Sequence, residues 1–175
     1  MCRKIIKNTV IELADFVKWL IHYFQYPKTK KLLHSTDKVV IVGNGPSAGK
    51  FPFEIYIKNK YDFCCVNYFA LEEIFFKIMP AYYCLIDPGF YQGTISEPDK
   101  ILKLKDAFRR VTWDMNIICS GKNIIDFNNP HIKYICISSA LYDGKMNALK
   151  TFLFNFNKAR CSMQTVIIGA LFSLL

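Results

Sequence analysis

The stretch that most constrains the fold is residues 38–50, KVVIVGNGPSAGK, in which an apolar run stops in a loop of small and polar residues. Four consecutive β-branched residues between a lysine and a glycine are typical of a strand covered on both faces, as in a parallel sheet. Glycines at 43 and 45 let a ligand approach the backbone closely, and free N–H groups in such a loop attract anions. The stretch therefore predicts a buried strand that leads into a phosphate-sized binding loop.

Strand-like and helix-like patterns alternate along the rest of the chain. Apolar runs predict strands at 61–67, 81–87, 115–120 and 132–138, helical spacing predicts helices at 68–79 and 97–110, and 51–60 is predicted to be a short crossover. Residues 139–160 are the least decided, with an aromatic helix expected near 149–156, and a last helix follows Ser162. This alternation predicts an α/β fold with a Rossmann-like, doubly wound and mostly parallel sheet.

Polar residues follow three of the predicted strands where each one ends. These residues are Asn44, Asn67 and Asp87. Right-handed crossovers place the loops that follow parallel strands on one edge of the sheet. We therefore expect the three side chains along the carboxyl edge, where such sheets bind ligands.

An amphipathic helix is predicted over residues of about 5 to 25, because apolar residues recur there at helical spacing. A lysine-rich linker follows, so we divide the chain into residues 1–37 and a Rossmann-like nucleotide-binding domain at 38–175. Two interpretations of the helix stay open: it packs on the domain, or it lies on an anionic membrane surface. Glu12 and Asp15 favour packing, because they dilute the basic face that a membrane would attract.

The composition restricts the partners and the compartment. The chain carries 23 Lys and Arg against 14 Asp and Glu, a formal net charge of +9, which favours anionic partners. Because the lysines are scattered, nucleic acid is not expected. Seven cysteines without paired-motif spacing argue against a zinc site or a disulfide scaffold and are typical of buried thiols in a reducing cytoplasm. We expect a cytoplasmic protein that can contact the inner face of the membrane peripherally.

The C-terminal segment is apolar up to the last residue of the chain. Residues 163–175 include charge-free helix-like sequence that ends on Leu174 and Leu175. A domain that stops in the middle of an apolar helix lacks part of its core, so we expect the nucleotide-binding domain to be incomplete at its C-terminal end.

Two well-known phosphate-binding patterns come close to the loop at 43–50. The P-loop pattern requires a glycine where Asn44 stands and a Ser or Thr where Phe51 stands, so we reject it. Gly43-x-Gly45-x-x-Ala48 fits the looser dinucleotide pattern. The second predicted strand ends in Asn67, however, where a ribose-binding acid is expected, so a nicotinamide enzyme remains only an alternative.

Three segments together carry a resemblance to a known family: VVIVGNGPS at 39–47, VNYF at 66–69 and YYCLIDP at 82–88. They are similar to the start of the bacterial sialyltransferases of the Campylobacter type, and equally to the related domains named after the archaeal hydroxymethylpterin pyrophosphokinase. CSMQTVI at 161–167 is similar to the helix start that follows the flexible lid in those proteins. The resemblance covers residues 38–94 and 160–175.

The resemblance implies a glycosyltransferase that moves a sugar, sialic-acid-like, from a CMP-activated donor to a surface glycan acceptor, with no cofactor and no obligatory metal. It implies nucleotide and donor binding by eight residues: Gly43, Asn44, Gly45, Pro46, Ser47, Asn67, Asp87 and Ser162. The sialyltransferases have an asparagine where this chain has Asp87, which leaves the donor sugar open. The alternatives are pyrophosphoryl transfer to a pterin and a nucleotide-binding module without turnover.

The catalytic base is not assigned. In the family, the base is typically a histidine, and it and the tyrosines that steady the leaving phosphate fall beyond the equivalent of Leu175. His22, His34 and His131 are expected to be solvated, packed or in a surface turn, because nothing places them near an acceptor hydroxyl. Cys161 beside Ser162 has no visible partner base and is expected to be structural.

Overall fold

The computed structural model of the protein describes residues 2–25, 38–87, 89–92, 98–120, 127–137, 147–155 and 166–174. Within them, five strands form one sheet in which every neighbouring pair is parallel. The strands are β1 (Val39–Val42), β2 (Asp62–Val66), β3 (Tyr82–Leu85), β4 (Met115–Ser120) and β5 (Ile132–Ile137). Their order across the sheet is their order in the chain. The predicted Rossmann-like α/β fold is confirmed.

Seven α-helices lie in the described part of the chain. They are α1 (Cys2–Gln25), α2 (Phe53–Lys58), α3 (Ile74–Ile78), α4 (Gly89–Gln92), α5 (Pro98–Arg109), α6 (Asn147–Asn155) and α7 (Val166–Leu174). The helices predicted at 97–110, near 149–156 and after Ser162 are confirmed in this part of the chain. The continuous helix predicted at 68–79 is wrong: a 3₁₀ helix at Phe69–Leu71 is separated from α3 by Glu72, whose backbone is extended.

Both faces of the sheet are covered. On one face, which we call the crossover face, alternate strand residues such as Phe63, Tyr83 and Ile117 pack with buried residues of α2, α3, α4 and α5. On the other, the α7 face, Cys64, Cys84 and Ile118 pack with Ala170 of α7. Burial on both faces accounts for strands that are apolar along their whole length.

The sequential order of the strands decides where the helices lie. Each crossover joins a strand to the next one along the sheet, so right-handed connections put the crossover helices on one face. The second face is left for α7, which follows the last described strand. A single core of aromatic and aliphatic residues therefore lies under the crossover helices, and a smaller one under α7.

The N-terminal helix packs on α6. Trp19 is buried against Leu153, with Phe16, Tyr23 and Leu149 around them. This contact places one side of α1 against a helix of the region that follows it, and the wider interpretation, in which α1 packs on the nucleotide-binding domain, stays a prediction. Among the described helices, none combines the length and the apolar composition that crossing a membrane requires.

Four cysteines lie buried in the strands as free thiols. They are Cys64, Cys65, Cys84 and Cys119. Burial raises the pKa of Cys84 from 9.0 to about 12, and it raises the pKa values of Cys64 and Cys65 well above their ordinary value. At neutral pH the thiols of Cys64, Cys65 and Cys84 are therefore protonated, and a protonated thiol is a poor nucleophile and metal ligand. The expectation of buried thiols is confirmed for these four.

Candidate nucleotide-binding site

The site that the sequence predicts lies where three neighbouring strands end. The register pairs Val42 of β1 with Cys65 of β2, and Val66 of β2 with Cys84 of β3. Adjacent strands in a sheet are about 4.8 Å apart. The segments that begin at Asn44 and Asn67 therefore leave the carboxyl edge side by side.

The loop after β1 folds into a 3₁₀ helix over Pro46–Lys50. The Ala48 N–H donates to the Gly45 carbonyl at 2.9 Å, and Pro46 has no N–H. Two of the loop's backbone positions are therefore closed to an anion. The loop offers fewer donors than the phosphate cradle that the sequence predicts.

Gly43 and Gly45 differ in how much space the fold leaves for a side chain. A Cβ on Gly43 would lie 3.3 Å from Cδ1 of Ile167, so the absence of a side chain lets α7 approach the end of β1. Gly45 has an extended backbone with φ −72°, and a Cβ there would lie 3.7 Å from the Ser47 hydroxyl oxygen, an ordinary contact. The close approach of Ile167 favours a glycine at position 43. Gly45, in contrast, borders space that a ligand can enter.

A cavity of about 320 Å³ separates this loop from the segment that follows β2. This volume is near the lower end of the range for small-molecule sites. The lining residues are Asn44, Gly45, Pro46, Ala48 and Gly49 on the loop, and Phe69, Glu72 and Ile74 opposite them. Three of the eight predicted site residues therefore border one space, and Glu72 is the charged residue among those that line it.

Asn67 follows β2 directly and has a left-handed backbone, with φ 54°. Asparagine tolerates this conformation better than most residues. The Oδ1 atom of its side chain is buried and has no hydrogen-bond partner among the described residues. An unsatisfied buried acceptor costs roughly 1–3 kcal/mol. Asn67 does not line the cavity, so the cavity does not unite it with the loop after β1.

Tyr83 of β3 fixes the turn that carries Asn67. Its phenol donates to the Asn67 carbonyl at 2.6 Å and accepts from the Ala70 N–H at 2.9 Å. The ring is fully buried and meets Phe108 edge-on, with 4.8 Å between ring centroids. Burial raises the pKa of this phenol well above its ordinary value, so it stays a neutral donor. Tyr83 is a positioning residue for the wall of the cavity that holds Phe69.

Asp87 lies beyond the end of β3 and is exposed. Its Oδ1 atom accepts from the Gly89 N–H at 2.9 Å, which is the contact of an Asx turn at the start of α4. The described contact of this carboxylate is therefore that of a local cap, and ligand binding by Asp87 stays a prediction. Ser47 is exposed on the loop, and Ser162 lies outside the described residues.

The candidate bases do not gather at this edge. His131 precedes β5 and lies 3.6 Å from Asp114, which precedes β4, so both are at the amino edge of the sheet. The expectation of a surface position is confirmed for His131, which is exposed. His22 falls on α1, and His34 and Cys161 lie outside the described residues. Among the residues that the structure describes, no three His, Cys, Asp or Glu side chains are grouped to hold a metal ion.

Glu72, which borders the cavity, and Tyr83, which supports its wall, are not predicted as site residues from the sequence. Glu72 was placed inside a continuous helix, because no glycine or proline marks the break. Its one sequence signal is the pair Glu72-Glu73, which interrupts an otherwise apolar helical pattern. Tyr83 was recognised only as part of a strand, and its bonds to Asn67 and Ala70 join residues that are distant in sequence.

We compared the chain with protein-family models, curated proteins and solved structures, and none of the three comparisons gave a match.

Proposed function

We propose that the protein binds a CMP-activated sugar at the carboxyl edge of β1 and β2 and transfers the sugar to a surface glycan acceptor. The acceptor hydroxyl attacks the anomeric carbon, a new carbon–oxygen bond forms, and the bond to the phosphate oxygen breaks with CMP as leaving group. The hydroxyl proton passes to a general base. The observation that carries this proposal is the cavity where Asn44, Gly45 and Pro46 face Glu72.

The charges around the cavity suit the nucleoside part of the donor better than its phosphate. Glu72 gives the lining a negative charge, and the residues opposite it are polar or small. A carboxylate accepts hydrogen bonds from hydroxyl and amino groups and repels a phosphate. The cytidine would enter the cavity, and the phosphate would lie outside it, nearer the end of β2.

The proposal also includes a cytoplasmic location for the protein. Free, buried thiols in the strands suit a reducing environment such as the cytoplasm. A cytoplasmic transferase that reaches a lipid-linked or surface acceptor would act at the inner face of the membrane.

Calorimetric titration of the full chain tests nucleotide binding. We expect CMP and CMP-sugars to bind in the presence of a chelator, and Asn44→Ala to weaken CMP about tenfold, or about 1.4 kcal/mol, because an amide on the cavity wall is lost. The matched control is Asn59→Ala, since Asn59 is an exposed amide whose contact is with the Ile55 carbonyl of α2. The control should leave CMP affinity unchanged.

Other outcomes of this titration would overturn the proposal. Binding of ATP that requires magnesium, without binding of CMP, would favour pyrophosphoryl transfer to a pterin. Binding of CMP in the titration, without release of CMP from any CMP-sugar in a separate activity assay, would leave a nucleotide-binding module. Equal CMP affinity in the wild type and in Asn44→Ala would remove the loop from the site.

Glu72 provides a second test, one of nucleoside recognition. We expect Glu72→Gln to weaken CMP about tenfold while leaving 2′-deoxy-CMP unchanged, because a charge-assisted bond to the ribose 2′-hydroxyl exists only with the ribonucleotide. Glu73→Gln is the control: Glu73 is exposed and adjacent in sequence but does not line the cavity. If Glu72→Gln weakens both nucleotides equally, or neither, the assignment of Glu72 to the ribose is wrong.

A further inference from the structure

The side of α1 that does not touch α6 is apolar and open to solvent. Six exposed apolar residues form a stripe, and their exposed fractions are 61% for Val10, 63% for Leu13, 45% for Val17, 37% for Leu20, 49% for Ile21 and 78% for Phe24, whereas Ile11, 39% exposed, lies outside it. We call this set the exposed stripe. A run of large apolar side chains that protein does not cover is typical of a site for a partner or a membrane.

The exposed stripe and the packed side of α1 are distinct faces of one helix. At 3.6 residues per turn, the six residues fall within roughly 100° of arc. Trp19, which is 7% exposed and contacts α6, lies on the opposite side. The contact with α6 therefore fixes which way α1 faces, and the exposed stripe points away from the domain.

The charged residues of α1 are also divided between the packed side and the exposed side. Glu12 and Asp15 are half-buried and lie by helical position on either side of Trp19, on the packed side. Lys18 is exposed. The helix as a whole has four basic residues against two acidic ones. The two acids therefore lie away from the outward face. They do not dilute the charge of that face, contrary to the expectation from the sequence.

We propose that the exposed stripe of α1 binds the surface of an anionic membrane, with the helix lying in the plane of the interface. An apolar face next to basic charge suits the boundary between headgroups and acyl chains. The chain's net charge of +9 adds a long-range attraction to anionic lipid. The same charge opposes a second copy of the chain on the stripe, because two basic helices would then face each other.

The orientation of the helix makes this contact specific. Val10 and Phe24 are separated by about four turns, so both ends of the stripe meet the lipid at once. Because α6 holds the opposite side through Leu149 and Leu153, the domain would rest on the membrane by this one helix. Binding at the surface requires no spanning helix.

Sedimentation of the full chain with vesicles tests this proposal. We expect the protein to bind vesicles that mix phosphatidylcholine with anionic phosphatidylglycerol at least about tenfold more tightly than vesicles of phosphatidylcholine alone, because basic charge near the surface is attracted to anionic lipid. We expect Leu13→Glu to weaken binding to the anionic vesicles about tenfold or more, because a charge would enter the apolar boundary.

The matched control is Leu102→Glu. Leu102 is 59% exposed on α5, close to the 63% of Leu13, but lies outside the stripe. The control should bind vesicles as the wild type does. Phe24→Ser is a second stripe variant that introduces no charge, and circular dichroism of all three variants should match that of the wild type.

Three outcomes would overturn the proposal: equal loss of binding in Leu13→Glu and Leu102→Glu, equal binding of the wild type to neutral and anionic vesicles, or a dimer in ultracentrifugation that Leu13→Glu converts to a monomer. The last result would assign the stripe to a second copy of the chain. Nucleotide binding plays no part in these measurements, so they stand apart from the test of the transferase.

Discussion

Replacing Tyr83 by phenylalanine is expected to destabilise the protein and to weaken the nucleotide site together. The phenol bonds to both the Asn67 carbonyl and the Ala70 N–H, and the ring is fully buried. Without the hydroxyl, a carbonyl and an amide lose a partner in a place that water does not reach easily. Each such group costs about 1–3 kcal/mol, so for the two groups we expect the free energy of unfolding to fall by about 2–6 kcal/mol.

The effect on the site follows from the turn that Tyr83 holds. The Ala70 amide lies between Phe69 and Leu71 in the 3₁₀ helix, and Phe69 lines the cavity. When this anchor is removed, the wall that carries Phe69 and Glu72 loses a fixed position. We expect the affinity for CMP, measured by calorimetry where the variant is fully folded, to fall about tenfold, or about 1.4 kcal/mol.

Tyr134→Phe is the matched control for this substitution. The Tyr134 phenol accepts a bond from the Phe127 N–H at 3.0 Å and lies on β5 at the other edge of the sheet. We expect it to lower the free energy of unfolding by about 1 kcal/mol and to leave CMP affinity unchanged. Urea unfolding gives the first quantity. If the two variants behave alike in both measurements, Tyr83 has no role in positioning the site.

Alkaline pH is expected to unfold the protein more readily than its composition alone suggests. Burial raises the pKa of Cys84 from 9.0 to about 12, and burial shifts the pKa values of Cys64, Cys65 and Tyr83 in the same direction. Above pH 9 the unfolded chain releases the Cys84 proton while the folded chain retains it. The unfolded state then binds fewer protons, so the free energy of unfolding falls as pH rises.

The pKa of Cys84 gives the size of the change in the free energy of unfolding that its thiol causes. Between pH 9 and pH 12 its thiol alone lowers the free energy of unfolding by about 1.4 kcal/mol per pH unit, and the loss ends once pH passes the pKa of the folded state. Below pH 9 the contribution is fully present. We expect urea unfolding under reducing conditions to show a steep fall between pH 9 and pH 10.5.

Cys84→Ala separates this thiol from the others. The variant loses stability at neutral pH because a buried atom is removed, but its free energy of unfolding should depend less steeply on pH by about 1.4 kcal/mol per unit above pH 9. An identical slope in the variant, or a wild type whose stability is constant up to pH 10.5, would contradict the burial of an un-ionised thiol at this position.

The sequence predicted the sheet well because its strands depend on local signals. Val39–Val42 is apolar on both faces and is bounded by a charge and a glycine, and Tyr82–Leu85 lies in an apolar run that stops at Asp87. Such runs indicate a strand whatever lies elsewhere in the chain. The order of the strands across the sheet is harder to predict from the sequence, because it depends on which strands pair with one another.

The features that the sequence did not reveal depend on distant contacts. Glu72 borders the cavity because the helix predicted at 68–79 breaks, and that break accompanies a hydrogen bond from Ala70 to Tyr83, 13 residues away. Likewise, α1 has apolar residues on two sides, and only contact with Leu153 of α6 decides which side is buried. Spacing alone cannot distinguish these two sides.

The strand order has a consequence for how the chain acquires its structure. Each strand pairs with the one synthesised just before it, so the sheet can grow one unit at a time in the order of translation, and every step closes only a short loop. The helix α7 is different, because it returns from beyond β5 to β1, β2 and β3. In the described part of the chain, this helix packs on Cys64 and Cys84. A helix that is synthesised after all five strands therefore shields thiols of the second and third, so the cover over these thiols is completed later than the sheet itself.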